Sequence, residues 1–403
     1  MSELIFSRAA LVTLCYFGLA TSVARLMLVG ARRSIFFALL NIAAVWLIFF
    51  TGTQSGAWSM LLYILFLSVF WILLRIAQTR SRHLFLLGFV PPIAWLVFAK
   101  TTGLLFFVGL SYMLFRCAHV EWELSKRKIK MMSFPDYMAH CFFAPTFLIG
   151  PISPYSYFEN SFNAVEIYNR EDAINCILRI LKGAAKVVVI SGVFLQLSPD
   201  ALIVDYRTHK IYEIFLAVIG FYIYMYANFS GLNDVSIGAA GLMGIAVKEN
   251  FNRPYFSQSV TEMYTRWHMT LSEWMRDIVF FPLAAFLMRR ATWLTRYQSS
   301  AVATMTVFIL FGVWHSGASL GWQYWLMGFL LGAAVVVEFY LGQWTRNWPD
   351  IERRFSPPPM VARVARTLYA NLYFAMAASL MSINWQQRGV TPADWIRGIG
   401  RFW

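Results

Sequence analysis

The chain has 403 residues, of which 59% are hydrophobic and only 13% are charged. Soluble domains carry about 25% charged residues, so this composition indicates an integral membrane protein. The apolar runs are long and continuous, which argues against the period-two alternation of a membrane β-barrel. The net charge of +14 fits cytoplasmic loops rich in Lys and Arg better than it fits nucleic-acid binding.

Five apolar segments in the first third of the chain approach the length of about 20 residues that crosses a bilayer. They are residues 9–29, 35–53, 57–76, 83–99 and 101–121. Clusters of Lys and Arg follow the first, third and fifth segments. The positive-inside rule therefore predicts that these loops are cytoplasmic and that the N-terminus is extracytoplasmic. No small-residue cleavage site follows the first apolar run, so we expect a retained span and not a signal peptide.

The segment 135–158 is apolar but is broken by Pro145, Gly150, Pro151 and Pro154. Irregular backbone at membrane depth must be buried in protein or line a cavity, so the pattern predicts a re-entrant element.

Two further spans are predicted at 173–197 and 211–232. Residues 235–247 are too short to cross a bilayer and are rich in small residues. This composition predicts a second half-inserted helix that packs closely against its neighbours.

Residues 249–277, ENFNRPYFSQSVTEMYTRWHMTLSEWMRD, concentrate charges and amides in an apolar chain. At 100° per residue this stretch predicts an interfacial helix with a charged side and an apolar side. The charged side holds Glu262, Arg266, Glu273, Arg276 and Asp277, and the apolar side holds Tyr264, His268, Leu271 and Met275. Spans at about 299–316, 319–343 and 361–383 complete the chain.

The predicted fold is an all-α polytopic membrane protein with roughly nine to eleven transmembrane helices plus re-entrant and interfacial helices. We expect a single membrane domain over 1–403. It comprises N-terminal helices at 1–121, a core at 122–317 and C-terminal helices at 318–403.

Several chemical classes lack their sequence signatures. Cys15, Cys117, Cys141 and Cys176 lie within or beside apolar segments without CxxC spacing, so neither a disulfide framework nor a zinc site is indicated. The chain has no GxSxG elbow, no GxxxxGK[ST] loop and no HExxH pair. Acidic residues are scarce in the spans, and Glu338 is the main exception. One carboxylate does not make a proton-relay transporter.

Of the six histidines, His315 is the strongest catalytic candidate. His83 and His209 lie in polar loops, and His119 and His140 at the edges of apolar segments fit structural roles. His315 ends an apolar span and is followed by small residues. An ionisable residue there indicates function by default, and a neutral histidine can take a proton from a hydroxyl as a general base. A histidine that only joins two helices is the alternative.

Six fragments together resemble the membrane-bound O-acyltransferases. They are VGLSYMLFR (108–116), FFAPTFLIGPI (142–152), NFSGLNDVSIG (228–238), LMGIAVKENFNRPYFSQSVTE (242–262), RWHMTLSEWMRD (266–277) and GVWHSG (312–317). They occur in the family's order. Within the family the chain looks most like the bacterial branch with the D-alanyl transfer protein of teichoic acids and the alginate and cellulose O-acetyltransferases.

The resemblance implies tilted helices around a central tunnel, with His315 as the invariant family histidine and His268 as the second motif histidine. The tunnel would admit a thioester donor from the cytoplasm and a hydroxyl acceptor from outside. Three positions depart from the family pattern: Asn228 replaces an Asp, Ser316 replaces a Gly, and Leu331 stands where a third histidine would be.

The predicted function is therefore transfer of an acetyl or D-alanyl group from a cytoplasmic thioester to a hydroxyl of an extracytoplasmic glycopolymer or relay protein. The donor would be acetyl-coenzyme A or an acyl carrier's phosphopantetheine, and no permanently bound cofactor or metal is expected. The protein would be multi-pass in the cytoplasmic membrane, surrounded by membrane lipids and without nucleic-acid partners. A lysophospholipid acyltransferase and a glycolipid transporter or flippase are the alternatives.

The candidate site residues fall into three groups besides the two histidines. Asn228, Asn250, Asn252 and Trp314 are candidates for stabilising an oxyanion, and Arg253, Arg266 and Arg276 for receiving donor phosphates. Asp234 and Trp267 lie within the same motifs and are expected to line the tunnel.

Overall fold

The computed structural model describes Gly18 and residues 30–50, 56–80, 90–102, 109–164, 170–199, 211–316, 321–347 and 357–382. Within these residues the chain forms helices and no strand, which confirms the all-α prediction. Apart from Gly18, the predicted span at 9–29 lies outside the described residues, as do Cys15, His83 and His209.

The described residues form fifteen α-helices, and eight of them precede residue 200. They are α1 (Gly30–Val45), α2 (Gly56–Arg80), α3 (Val90–Thr102), α4 (Leu110–Ser125), α5 (Phe134–Cys141), α6 (Tyr155–Asn163), α7 (Arg170–Ala185) and α8 (Ser191–Leu195). Helix α1 continues as a π-helical turn over Trp46–Phe50, and a second π-helical turn, Lys186–Ile190, joins α7 to α8.

Seven helices follow. They are α9 (Ile211–Leu242), α10 (Val260–Arg266), α11 (Met269–Met275), α12 (Phe281–Arg290), α13 (Arg296–Ser316), α14 (Trp322–Asn347) and α15 (Pro359–Ser379). A π-helical turn, Arg276–Phe280, joins α11 to α12.

Five stretches of the described residues are long and apolar enough to cross a membrane: Gly30–Phe50, Gly56–Gln78, Tyr212–Leu242, Arg296–Ser316 and Trp322–Arg346. Most residues in each of these helices remain accessible, as expected for side chains that contact lipid. The prediction of a multi-pass membrane protein is therefore supported.

The structure contradicts the prediction of a span at 211–232 followed by a separate half-inserted helix at 235–247. Helix α9 runs without a break for 32 residues, through the whole of the first segment and into the second as far as Leu242. The small residues that suggested a short, separate element instead allow close packing. A Cβ atom on Gly238 would lie 2.8 Å from the Cys176 carbonyl oxygen of α7, so glycine here permits helix contact.

The predicted single interfacial helix over 249–277 is also wrong. Residues 249–259 contain only a 3₁₀ turn, Pro254–Phe256, and Trp267 and His268 separate α10 from α11. His268 has a positive φ of 47°, which the α-helix does not allow. The helical periodicity of the stretch is therefore interrupted at the histidine itself.

The broken segment predicted over 135–158 is irregular, as the prolines and glycine suggested, and its backbone is bonded within the protein. Arg116 of α4, only 2% exposed, donates to the carbonyl oxygens of His140, Cys141 and Thr146 and to the Thr146 hydroxyl. The Asn41 side-chain oxygen accepts from the Ala144 N–H at 2.9 Å. Side chains thus replace the missing helical hydrogen bonds.

The described residues group into two compact units. The first contains residues 1–185 and 231–249, and the second contains 186–230 and 250–403. The first has an aromatic core around Phe37, Tyr63 and Phe147. The second packs Tyr222, Trp267 and Phe374 together, with ring centroids of Trp267 and Phe374 5.1 Å apart. Leu331, at the position of the family's third histidine, is buried in this second core.

Helices α13 and α14 approach closely through a pair of glycines. A Cβ atom on Gly312 would overlap the Tyr324 carbonyl oxygen, and one on Gly328 would overlap the Phe308 carbonyl oxygen. Each of these Cβ positions also lies 3.3 Å from the Cα atom of the other glycine. The backbones therefore touch where both side chains are absent.

We expect Gly312→Ala and Gly328→Ala each to destabilise the protein by about 1–3 kcal/mol, the usual cost of overpacking. Gly342→Ala on the same α14 is the matched control, because nothing lies within 4 Å of its Cβ position and alanine favours a helix. Thermal unfolding in detergent measures the three variants. Equal melting temperatures for all of them would contradict the close contact.

Candidate active site

The second unit contains a cavity of about 370 Å³ with largely apolar walls. One wall comes from the segment around α10 and α11, and the facing wall comes from α13, with Val335 added from α14. The lining residues on the first wall are Thr261, Tyr264, Thr265, Trp267, His268, Met269, Leu271, Ser272, Glu273, Met275, Arg276 and Phe280, and those on α13 are Thr304, Val307, Phe308 and Phe311.

Helical spacing explains the α13 wall. Its four lining residues follow the i, i+3, i+4, i+7 pattern that marks one face of a helix. The next position on this face, four residues beyond Phe311, is His315. The side-chain stripe that lines the cavity thus leads along α13 towards the histidine.

Asn250 holds His268 in place. The buried Asn250 side-chain oxygen accepts from the Thr270 backbone N–H at 3.1 Å and from the Thr270 hydroxyl at 2.9 Å. It also lies 3.1 Å from Nδ1 of His268, and the Asn250 carbonyl oxygen accepts from the Met269 N–H at 3.0 Å. These bonds replace helical hydrogen bonds at the start of α11, which allows the chain to turn at His268.

The hydrogen bonds also fix the tautomer of His268. A backbone N–H can only donate, so the Asn250 atom bonded to Thr270 is the acceptor oxygen. The neighbouring Nδ1 of His268 must therefore carry the proton. Its Nε2 then holds a lone pair, available as a hydrogen-bond acceptor or base.

Burial keeps His268 neutral. Removal of water from the imidazolium, and secondly repulsion by His315, lower the pKa of His268 to about 3. The electrostatic effect of His315 also means that the two histidines lie near one another. The residue lines the cavity, which accounts for its partial accessibility.

His315 has the same tautomer by an independent contact. Its Nδ1 lies 2.8 Å from the Phe311 carbonyl oxygen, an acceptor only, so Nδ1 is protonated and Nε2 carries the lone pair. The imidazole packs against Phe311 and Trp314, with ring centroids 4.3 and 4.6 Å away. A backbone bond and two aromatic rings thus hold the ring in one orientation.

The other predicted site residues are divided among several environments. Trp267 and Arg276 line the cavity, and Trp314 contacts His315. Arg266 pairs with Glu262 at 2.7 Å, and the Arg276 guanidinium pairs with Asp277 at 2.9 Å.

Asn252 and Arg253 are exposed. The backbone N–H of Asn252 donates to the Arg266 carbonyl oxygen at 2.9 Å, which joins the segment before α10 to the end of that helix. Arg253 has a φ of 46° and precedes the 3₁₀ turn.

Only Trp267, His268 and Arg276 of the predicted site residues line the cavity; His315, Trp314, Asn250, Asn252, Arg253, Arg266, Asn228 and Asp234 are not among its lining residues. Asn228 donates to the Ser191 hydroxyl at 3.3 Å. Asp234 belongs to the first unit, where Arg179 bonds it at 3.1 Å and also bonds Glu249 at 2.6 Å.

The four α13 residues that line the cavity were not identified from the sequence, although their i, i+3, i+4, i+7 spacing can be seen in the sequence that leads to His315. The specific role of Asn250 was not identified either.

Comparison with known proteins decides the family. The profile of the membrane-bound O-acyltransferase family matches residues 10–383. The chain belongs to this family. Its resemblance to the bacterial branch is also confirmed, because the similar proteins include teichoic acid D-alanyltransferases and probable alginate O-acetylases. Family membership makes the chain an O-acyltransferase and a multi-pass membrane protein.

Three relatives illustrate the similarity. The teichoic acid D-alanyltransferase of Streptococcus thermophilus is 26% identical over 320 residues, which cover 75% of each chain. That of Bacillus subtilis is 26% identical over 260 residues, 61% of this chain and 62% of the relative. The probable alginate O-acetylase of Azotobacter vinelandii is 28% identical over 239 residues, 59% of this chain and 42% of the relative.

We expect Asn250→Ala to destabilise the protein by about 1–3 kcal/mol, because it leaves buried donors of Thr270 and His268 without an acceptor. Asn252→Ala is the matched control, since Asn252 is exposed and its backbone N–H makes its bond. Thermal unfolding of both variants, with transfer activity measured alongside, tests this role. The role of Asn250 is contradicted if both variants unfold at the wild-type temperature.

The lowered pKa of His268 predicts an acid-sensitive contribution to stability. The unfolded chain binds a proton at the ordinary histidine pKa of about 6.5, whereas the folded protein resists protonation until about pH 3. Neutral His268 thus contributes fully above pH 6.5, and its contribution is lost as the pH falls towards 3. His268→Gln should lose less stability than the wild type between pH 7 and pH 5 in thermal unfolding. Parallel losses would show that His268 titrates normally.

Proposed function

We propose that this O-acyltransferase moves a short acyl group, acetyl or D-alanyl, from a cytoplasmic thioester to a hydroxyl group. The acceptor would be an extracytoplasmic glycopolymer or a relay protein. Family membership supplies the reaction class. The names of the relatives support both acyl groups, since two are D-alanyltransferases and one is a probable O-acetylase.

The orientation of His315 is the observation that carries the mechanism. Because the Phe311 carbonyl oxygen holds the Nδ1 proton, Nε2 is the basic nitrogen. In the proposed reaction Nε2 removes the acceptor's hydroxyl proton while the oxygen attacks the thioester carbonyl carbon. The tetrahedral intermediate collapses with cleavage of the C–S bond, and Nε2–H returns the proton to the thiolate. The products are an ester and a free thiol.

His268 has a supporting role in this proposal. Its neutral state and its place in the cavity wall suit contact with the donor near the thioester. The candidates for stabilising the oxyanion are Trp314, which contacts His315, and backbone amides of this region. The Asn250 side-chain oxygen accepts from His268 and Thr270 and cannot stabilise an oxyanion. Only the amide N–H group of Asn250 would serve as a donor.

The cavity supports entry of a long, slender donor. Its walls are apolar over most of their area, whereas Arg276 is exposed and also lines it. Apolar walls suit a pantetheine arm and the guanidinium suits a phosphate. The positive-inside pattern of the sequence supports a cytoplasmic location for this loop region and an extracytoplasmic N-terminus.

Parallel assays of the reconstituted protein with radiolabelled acetyl-coenzyme A and a radiolabelled aminoacylated carrier test the function. A labelled ester on an added glycopolymer or protein supports the proposal. Label on a lysophospholipid would instead assign lipid acylation, and movement of an unmodified glycolipid across the vesicle would assign transport.

We expect His315→Ala to lower transfer by at least about 100-fold, the usual contribution of a general base, while the protein folds normally. His209→Ala is the matched control, because the sequence places His209 in a polar loop. Single-turnover transfer with protein quantified by size-exclusion chromatography gives the comparison. Wild-type turnover in folded His315→Ala would reject His315 as the base.

A further inference from the structure

Glu338 binds the start of the helix that leads to the catalytic cavity. Its Oε1 accepts from the Val260 N–H at 2.6 Å, and its Oε2 accepts from the Thr261 N–H at 2.9 Å and from the Thr261 hydroxyl at 2.6 Å. Glu338 belongs to α14, 77 residues beyond Thr261. The carboxylate therefore joins the membrane-spanning helix α14 to the short helix α10.

The hydrogen bonds at the N-terminus of α10 are complete only with Glu338. The Ser259 hydroxyl accepts from the Glu262 N–H at 2.9 Å, and the Glu262 carboxylate accepts from the Gln258 N–H at 2.8 Å. This capping box provides no acceptor for the first two N–H groups of the helix, those of Val260 and Thr261. Glu338 accepts both, so a residue from another helix completes the cap.

A carboxylate in a membrane-spanning helix is costly and needs compensation. Here the N-terminal N–H groups of α10 supply it, since a helix N-terminus favours negative charge. Two helices, α10 and α14, thus meet at one acidic side chain.

The residue that Glu338 holds is itself part of the cavity. Thr261 donates twice to the carboxylate. Thr261, Tyr264 and Thr265 of the same helix all line the cavity. Helix α10 has only seven residues, so a shift of its start would move this whole wall. The chain then continues from the end of α10 through Trp267 directly to His268.

We propose that Glu338 is a positioning residue that fixes the α10 wall and thereby sets the affinity of the enzyme for its acyl donor. The inference rests on the proposed function for its kinetic consequence. The general base His315 lies on α13 and has its own contacts. Loss of the Glu338 bonds should therefore weaken donor binding more than it slows the chemical step.

Steady-state transfer by Glu338→Gln, Glu338→Asp and Thr261→Val tests the proposal. We expect Glu338→Gln to raise KM for the acyl donor about tenfold and to lower kcat less than threefold. The reason is that the side-chain amide of glutamine places its own N–H group beside the backbone N–H groups of α10, where hydrogen bonds need an acceptor. Glu338→Asp retains the charge and should recover part of the KM change, and Thr261→Val removes one bond and should give a smaller change. Val337→Ala, at an exposed neighbouring position, is the control.

The result that overturns the proposal is an unchanged KM in folded Glu338→Gln and Thr261→Val, even if both melt at a lower temperature. Such a result would make Glu338 a cap with only a stabilising role. Equal decreases of kcat in all variants with constant KM would overturn it as well.

A second measurement does not depend on transfer. Thr265→Cys places a thiol on the α10 wall, and its alkylation rate with N-ethylmaleimide, read by peptide mass spectrometry, reports the position of this wall. Glu338→Gln should change the rate at least threefold, and Val337→Ala should not. If the wild type transfers no acyl group, the proposed function fails, and the alkylation rate alone decides the role of Glu338. An unchanged rate rejects it.

Discussion

The scarcity of water inside a membrane protein makes every unsatisfied polar group costly, and the described structure is organised by this constraint. Where the backbone leaves helical geometry, side chains provide the missing hydrogen bonds. Arg116 binds three carbonyl oxygens around the irregular segment after α5, and Asn250 binds the chain at the start of α11. Each polar side chain thus permits a break in helical structure that the apolar environment would otherwise forbid. One of these breaks, at His268, lies in the wall of the cavity.

The same constraint applies to the two histidines, whose hydrogen bonds fix the tautomer of each ring. Each donates its Nδ1 proton to an oxygen that can only accept, one from a side chain and the other from the backbone. Because Nδ1 carries the proton, the second nitrogen of each neutral ring carries a lone pair. Neither ring can exchange tautomers without losing this hydrogen bond. The orientation of each imidazole is therefore set by contacts within the protein.

Sequence patterns predicted the helical class and the family, because apolar run length and motif order are local properties. The catalytic assignment of the two histidines stays a prediction. The interruption at His268 was not predictable in this way. Periodicity favoured one continuous helix, whereas tertiary bonds from Asn250 stabilise a turn with positive φ. The small residues after 231 were equally ambiguous, since glycine either ends a helix or permits close contact between helices. The contact of Glu338 with Val260 depends on the pairing of helices 78 residues apart, for which a single sequence contains no signal.

The glycine pair between α13 and α14 limits how this protein can evolve. At most tight contacts, an enlarged side chain on one partner is accommodated by a smaller one on the other. Gly312 and Gly328 already lack side chains, and each stands against backbone atoms of the opposite helix. No second substitution at the facing position can therefore restore the fit. Compensation would require both helices to separate, and α13 carries His315, so relief of the crowding would displace this histidine. A larger residue at either glycine therefore cannot be compensated by a substitution at the other.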